Sequence, residues 1–249
     1  MWGANKWTDS MLIRFKWVIL LMALICISFF YFTHKTEPNS QIKVAGKMSE
    51  VMWHGLLEKR IETDTLNAPK TYGIGPMAYL EGEVLVMEGQ TYISKVADSS
   101  AIVATEVSGT GAPFFVYITD SDLNEVSLPL ADYDLGSIEA YINKAYANYD
   151  HPLLVRIDGD FDSMILHAVN LPKGKTVSNP EQAHQGLTKI QYPRTQGSLI
   201  GFFSRKHQSI FTHHDSFFHA HFISEDRGLM GHVDALNFRA SQVGLSVSK

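Results

Sequence analysis

Two histidines one residue apart, ten further residues, then a third: the stretch FHAHFISEDRGLMGH, residues 218–232, narrows the folds open to this chain more than any other. On a strand, residues i and i+2 point to the same face. His219 and His221 would then present two imidazoles side by side, about 7 Å apart at the backbone. The residues SEDRGLMG carry turn formers, so a return strand from Gly231 brings His232 alongside the pair. Three neutral imidazoles converging at about 2.0–2.1 Å, with a fourth position open, make the arrangement of a catalytic zinc. A bland alternative stands beside this one. Six of the eleven histidines fall between His207 and His232, so a histidine-rich hairpin without metal is also consistent, and His213 and His214 read as a polar turn.

The surrounding segments suit strands. GEVLVMEGQTYIS holds two apolar or β-branched runs split by Glu88-Gly89, a hairpin signal. AIVATEV, PFFVYIT, HPLLVRIDG, FDSMILHAV, GSLIGFFS and GHVDALNF are similarly rich in β-branched and aromatic residues. Two helices interrupt them. MSEVMWHGLLEKR spaces Met48, Val51, Met52 and Leu56 helically, and SIEAYINKAYANY puts Ile138, Tyr141, Ile142, Ala145 and Tyr149 on one face with Ser137 as cap. Runs of strands with few helices predict an α+β fold of mixed or antiparallel sheets.

Composition sets the remaining limits. A net charge of −5 without clustered Lys or Arg argues against a nucleic-acid surface. One cysteine, Cys26, excludes an internal disulfide and thiol-rich metal sites, which leaves histidine and carboxylate as ligands. Residues 17–32, WVILLMALICISFFYF, are uncharged and almost wholly apolar, preceded by Lys6, Arg14 and Lys16. They are shorter than the roughly 20 residues of a spanning helix, but Arg14 and Lys16 can snorkel. No small-x-small cleavage site follows, so an uncleaved membrane anchor is expected rather than a cleaved signal. The charges predict residues 1–16 inside and everything after the anchor outside. A polar linker is expected over 33–47 and one metal-binding domain over 48–249.

Four segments carry a resemblance. HAHFISEDRGLMGHV, YGIGPMAYLEGEVLVMEGQTY, LLVRIDGDF and QGSLIGFFS resemble, in order and spacing, the motifs of the alpha-acetolactate decarboxylase family, across about Met48 to Phe238. The resemblance implies Zn2+ held by His219, His221 and His232, with Glu83 handling protons beside it. It also implies an α+β fold built on mixed sheets, and often a homodimer. The implied reaction decarboxylates 2-acetolactate, or a related 2-hydroxy-3-oxo acid, to acetoin. Such a substrate chelates a metal through its hydroxyl and ketone oxygens, and the carbanion equivalent left behind needs a positioned acid.

The chain also departs from the family pattern. His167 stands where the family has an arginine that contacts the substrate carboxylate, and Pro76 replaces a threonine. The family's C-terminal tail, which brings a second glutamate, has no match after LNFRASQVGLSVSK. Two other functions therefore stay open: a zinc-dependent hydrolase of a small ester or lactone, and a non-catalytic homologue that binds a small acid or a partner.

Overall fold

The computed structural model describes residues 41–98 and 101–248. The expected anchor over 17–32 lies outside them, and among the described residues no helix is long and apolar enough to cross a membrane. In chain order the elements are β1 (Lys43–Ala45), α1 (Met48–His54), β2 (Ile61–Glu62), β3 (Tyr72–Pro76), β4 (Glu83–Met87), β5 (Gln90–Asp98), β6 (Ala101–Val107), β7 (Gly111–Ala112), β8 (Phe115–Ile118), β9 (Leu123–Val126), β10 (Asp132–Asp134) and α2 (Leu135–Ala145). Then come β11 (Leu153–Phe161), β12 (Ser163–Ala168), α3 (Pro180–Ala183), β13 (Thr188–Tyr192), β14 (Thr195–Phe203), β15 (Phe218–Ser224), β16 (Met230–Arg239) and β17 (Val243–Ser248).

Two sheets carry the fold. A six-stranded sheet runs β1-β8-β3-β4-β5-β6, and a nine-stranded sheet runs β13-β12-β16-β15-β14-β11-β17-β9, with β10 also on β16. The mixed sheets allowed by the sequence resolve into antiparallel ones: the β14–β15, β15–β16 and β3–β4–β5 pairings are all antiparallel. Short turns explain the β4–β5 and β15–β16 pairs, because neighbouring strands so joined can only run in opposite directions, whereas β14 and β15 are joined by the longer segment 204–217. The β4–β5 turn is Glu88-Gly89, both at positive φ (55° and 81°), the backbone that a two-residue hairpin needs.

Alternation along the strands assigns the faces. Tyr72, Ile74, Leu85, Met87, Val116 and Ile118 of the smaller sheet pack on Leu154, Ile200, Phe202, Ile223 and Met230 of the larger one. The opposite face of the larger sheet buries Phe218, Ala220, Phe222, Val233 and Phe238 with Ile138 and Ile142 of α2. That helix starts earlier than expected. Asp134 is its N-cap and Ser137 occupies the third helical position, each side chain bonding the other's backbone. Away from the histidines, Arg156 joins the two sheets, with Nη1 2.6 Å from Glu88 Oε1 and Nε 2.7 Å from Asp158 Oδ2.

Candidate metal centre

The face of β15 that carries Ile223 into the inter-sheet core also carries His219 and His221, because all three share the strand's two-residue period. The return strand places His232 directly opposite His221. The three ring centroids lie 4.9 to 5.6 Å apart, and the residues are between 0% and 7% exposed. The hairpin read from the sequence thus brings its three histidines together.

On the far side of β16, His167 of β12 pairs with His232 in register, and the two rings stack at 4.3 Å. Gly231 permits this approach, since a Cβ there would lie 2.9 Å from the His167 carbonyl oxygen. The register of β12 against β16 then slips between Ile165 and Leu166, skipping Asp234. That extra residue is a β-bulge, a device that re-aims a side chain. Asp234 Oδ1 comes 2.9 Å from His167 Nδ1 and 3.8 Å from His232 Nδ1, while Oδ2 is 3.0 Å from Lys189 Nζ.

Burial decides the protonation of the three hairpin histidines. It holds His219 and His232 well below the ordinary imidazole range and His221 at about 3, with His221 and His167 respectively the largest neighbouring influences on His219 and on the other two. Neutral imidazoles with free lone pairs are what a metal requires. His219 Nδ1 lies 2.7 Å from the Phe211 carbonyl oxygen, so Nδ1 carries the hydrogen and Nε2 keeps the lone pair. Neither ring nitrogen of His221 makes a hydrogen bond of ordinary geometry. A fully buried imidazole with no partner costs about 1–3 kcal/mol, a cost that a metal ion bound at this point would remove.

His167, His232 and Asp234 form a second set, with ligand atoms all within 4.8 Å of one another. Here the carboxylate already has cationic or hydrogen-bonding partners in Lys189 and His167. A carboxylate behind the Nδ1 edge of two imidazoles is also the usual outer support of a metal-binding histidine. In the hairpin trio, by contrast, both ring nitrogens of His221 and Nδ1 of His232 have no hydrogen-bond partner.

Glu83 comes from the other sheet. At the start of β4, where a lone glutamate has no local reason to be buried, the residue is only 3% exposed. The alternation Glu83, Leu85, Met87 points it into the inter-sheet space with those two apolar residues. Oε1 accepts a hydrogen bond of 3.0 Å from the Val169 N–H and lies 3.9 Å from His167 Nε2, and Oε2 lies 3.7 Å from His221 Nε2. Burial raises its pKa from about 4.5 to about 7, partly offset by His167 and by the Val169 N–H. The turn that delivers it holds Tyr79 and Leu80 at φ 60° and 54°, strained backbone for residues with side chains.

Sequence reasoning missed two members of this cluster. His213, read as part of a polar turn, has its Nε2 3.1 Å from His232 Nε2, and Asp234 depends on the bulge. Together with Met48, Met52, Pro76, Leu80, Phe114, Val169 and His184, the side chains of Glu83, His167, His213, His219 and His232 line a cavity of about 40 Å3.

Comparison with known proteins fits this geometry. The profile of the family described as alpha-acetolactate decarboxylase matches residues 45–249. The alpha-acetolactate decarboxylase of Bacillus subtilis (strain 168) is 24% identical over 201 residues, covering 80% of this chain and 75% of the relative. The alpha-acetolactate decarboxylase of Methanosarcina mazei is 23% identical over 194 residues, covering 78% of this chain and 65% of the relative. The crystal structure of the Bacillus subtilis strain 168 enzyme shares the fold, with a TM-score of 0.70 at 23% identity over 84% of this chain and 85% of that one. So does a Staphylococcus aureus protein of unknown function similar to alpha-acetolactate decarboxylase, with a TM-score of 0.66 at 18% identity over 84% and 85%.

Proposed function

Because this chain belongs to the alpha-acetolactate decarboxylase family, we propose that it decarboxylates 2-acetolactate or a closely related 2-hydroxy-3-oxo acid at a zinc site formed by His219, His221 and His232. The observation that carries the reading is Glu83. A carboxylic acid from one sheet is buried 3.7 Å from an unpartnered imidazole of the other. Its pKa of about 7 lets it hold a proton near neutrality and still release it.

The residues fit a divalent metal with nitrogen ligands, and such an ion, when bound, supplies Lewis acidity toward the substrate's ketone oxygen. The chain supplies the rest. The bond to the carboxylate breaks and carbon dioxide leaves with the negative charge removed from its oxygens into the hydroxy-ketone fragment. Protonated Glu83 then gives its proton to carbon, forming the hydroxy ketone, and recovers one from water. His167, stacked on His232 and fixed by Asp234, presents Nε2 toward Glu83 and is the side chain we assign to the substrate carboxylate. It offers a single donor where the expected arginine offers a fork. Met48, Met52, Leu80 and Phe114 make the remaining wall apolar, which excludes water from the proton transfer.

The test is metal analysis and turnover on one sample. The purified chain should hold close to one zinc, release acetoin and carbon dioxide from acetolactate, and lose both properties in the His219→Ala/His221→Ala double variant. Zinc retained by that variant would rule out the hairpin site. Zinc without acetoin, together with cleavage of a small lactone, would transfer the site to the hydrolase reading.

A further inference from the structure

We propose that His213 is a fourth imidazole ligand of the metal, carried on the β14–β15 loop and closing the position that the three strand-borne histidines leave open. This rests on the reading above that the cluster holds a metal. It goes beyond that reading, which assigns three protein ligands.

His213 turns its ring into the cluster, against His232 and beside His219. Its Nε2 lies 3.1 Å from His232 Nε2, with the two rings at 89° and their centroids 5.2 Å apart. Its centroid is 6.0 Å from that of His219, at 73°. Nitrogens at 2.0–2.1 Å from one tetrahedral ion are about 3.3–3.4 Å apart. The observed separation therefore needs only a few tenths of an ångström of adjustment. Without metal, one ring can donate its Nε2–H to the other's lone pair. With metal on His232 Nε2, that lone pair is used, and the neutral His213 must turn its own lone pair to the ion or leave.

The loop is built to keep His213 facing inward. Residues 204–217 are closed at their base by Ser204 N–H to the Phe217 carbonyl, 2.8 Å. The His207 carbonyl accepts from the Ile210, Phe211 and Thr212 N–H groups, and the Phe211 and Thr212 side chains are fully buried. The Phe211 carbonyl also fixes His219 Nδ1, so one loop both orients a strand-borne histidine and delivers another. Its outer side docks on α1, whose Met48 and Ser49 N–H groups bond the Ile210 and Ser209 carbonyls. The next residue, His214, points the other way and is exposed beside Asp215. A chelating substrate would therefore have to displace His213 to place both of its oxygens on the metal.

Counting imidazoles in the zinc-loaded full chain by X-ray absorption fine structure tests this independently of activity. Four are expected in the wild type and in His214→Ala, and three in His213→Ala. Chelator competition should show zinc held at least about tenfold less tightly by His213→Ala, the range seen even for outer-shell partners. The d–d absorption of the cobalt-loaded chain should change with it. His213→Gln repeats the count if the alanine variant does not fold. Three imidazoles in the wild type, unchanged in His213→Ala along with the zinc affinity, overturn the inference and leave the three-ligand site standing. A wild-type chain that binds no metal overturns both.

Discussion

Strands β15 and β16 have two faces, and the two live by different rules. One face packs Phe218, Ala220, Phe222, Val233 and Phe238 under α2, with Phe161 edge-on to Phe222 at 5.3 Å. Every atom there is apolar, so burial is favourable without any partner beyond close contact. The other face carries His219, His221 and His232 into an equally dry space. There each nitrogen needs a partner, and His221 has none of ordinary geometry. The first face contributes stability and the second consumes some of it. The hairpin tolerates its histidines because its back is a well-packed core.

That division predicts that the faces can be damaged separately. The largest effect should fall on the chemistry. Glu83→Gln keeps the shape and the place between the sheets but removes the titratable proton, so acetolactate turnover should fall by about 10²–10⁴. Zinc content should be unchanged, because Glu83 touches the cluster from the other sheet. Steady-state kinetics with elemental analysis on the same preparation checks this. Full turnover in the variant would take the proton-handling role away from Glu83.

Phe222→Ala should do the reverse. Removing a fully buried ring from the apolar face costs about 3–5 kcal/mol, from lost transfer energy and the cavity left behind. Denaturant unfolding should show that loss, while the fraction that remains folded still holds its zinc. If metal stoichiometry per folded chain collapses with stability, the two faces are one cooperative unit and the contrast fails.

The unequal legibility of the site follows from the same contrast. The trio His219, His221 and His232 is readable because a strand period and a turn fix their relation within fifteen residues. The Glu88-Gly89 hairpin is readable for the same local reason. Glu83 is different. Its hydrogen bond to Val169 joins residues 86 positions apart, and nothing local separates a solvent-facing glutamate from one aimed at another sheet. Asp234 depends on a register slip that only the pairing with β12 reveals. His213 and His214 look alike in sequence, and the burial of Phe211 and Thr212 is what turns one inward. A helix start misplaced from Asp134 to Ser137 is a lesser case, since either residue can cap.

The smallest effect expected is a pH dependence of the metal-free chain, and it carries a sign. Each of His219, His221 and His232 has a folded pKa depressed from about 6.5, that of His221 to about 3. Their neutral burial contributes stability above about pH 6.5, and it is lost as pH falls, because the unfolded chain takes up protons that the folded one refuses. Glu83 acts oppositely. Its pKa is raised from about 4.5 to about 7, so its contribution is full below 4.5 and lost as pH rises through 7. Between pH 6.5 and 5 three groups oppose one, each with a limiting slope of about 1.4 kcal/mol per pH unit. Chelator-treated protein should therefore melt at lower temperature at pH 5.5 than at pH 7. Glu83→Gln removes the opposing group, so its melting temperature should fall more steeply across that interval and exceed that of the wild type at pH 8. Titrating groups remote from Glu83 are common to both chains and cancel in the difference. Parallel melting curves for the two would mean that Glu83 is not held protonated by its burial, and that the polar face is wetter than the apolar face behind it.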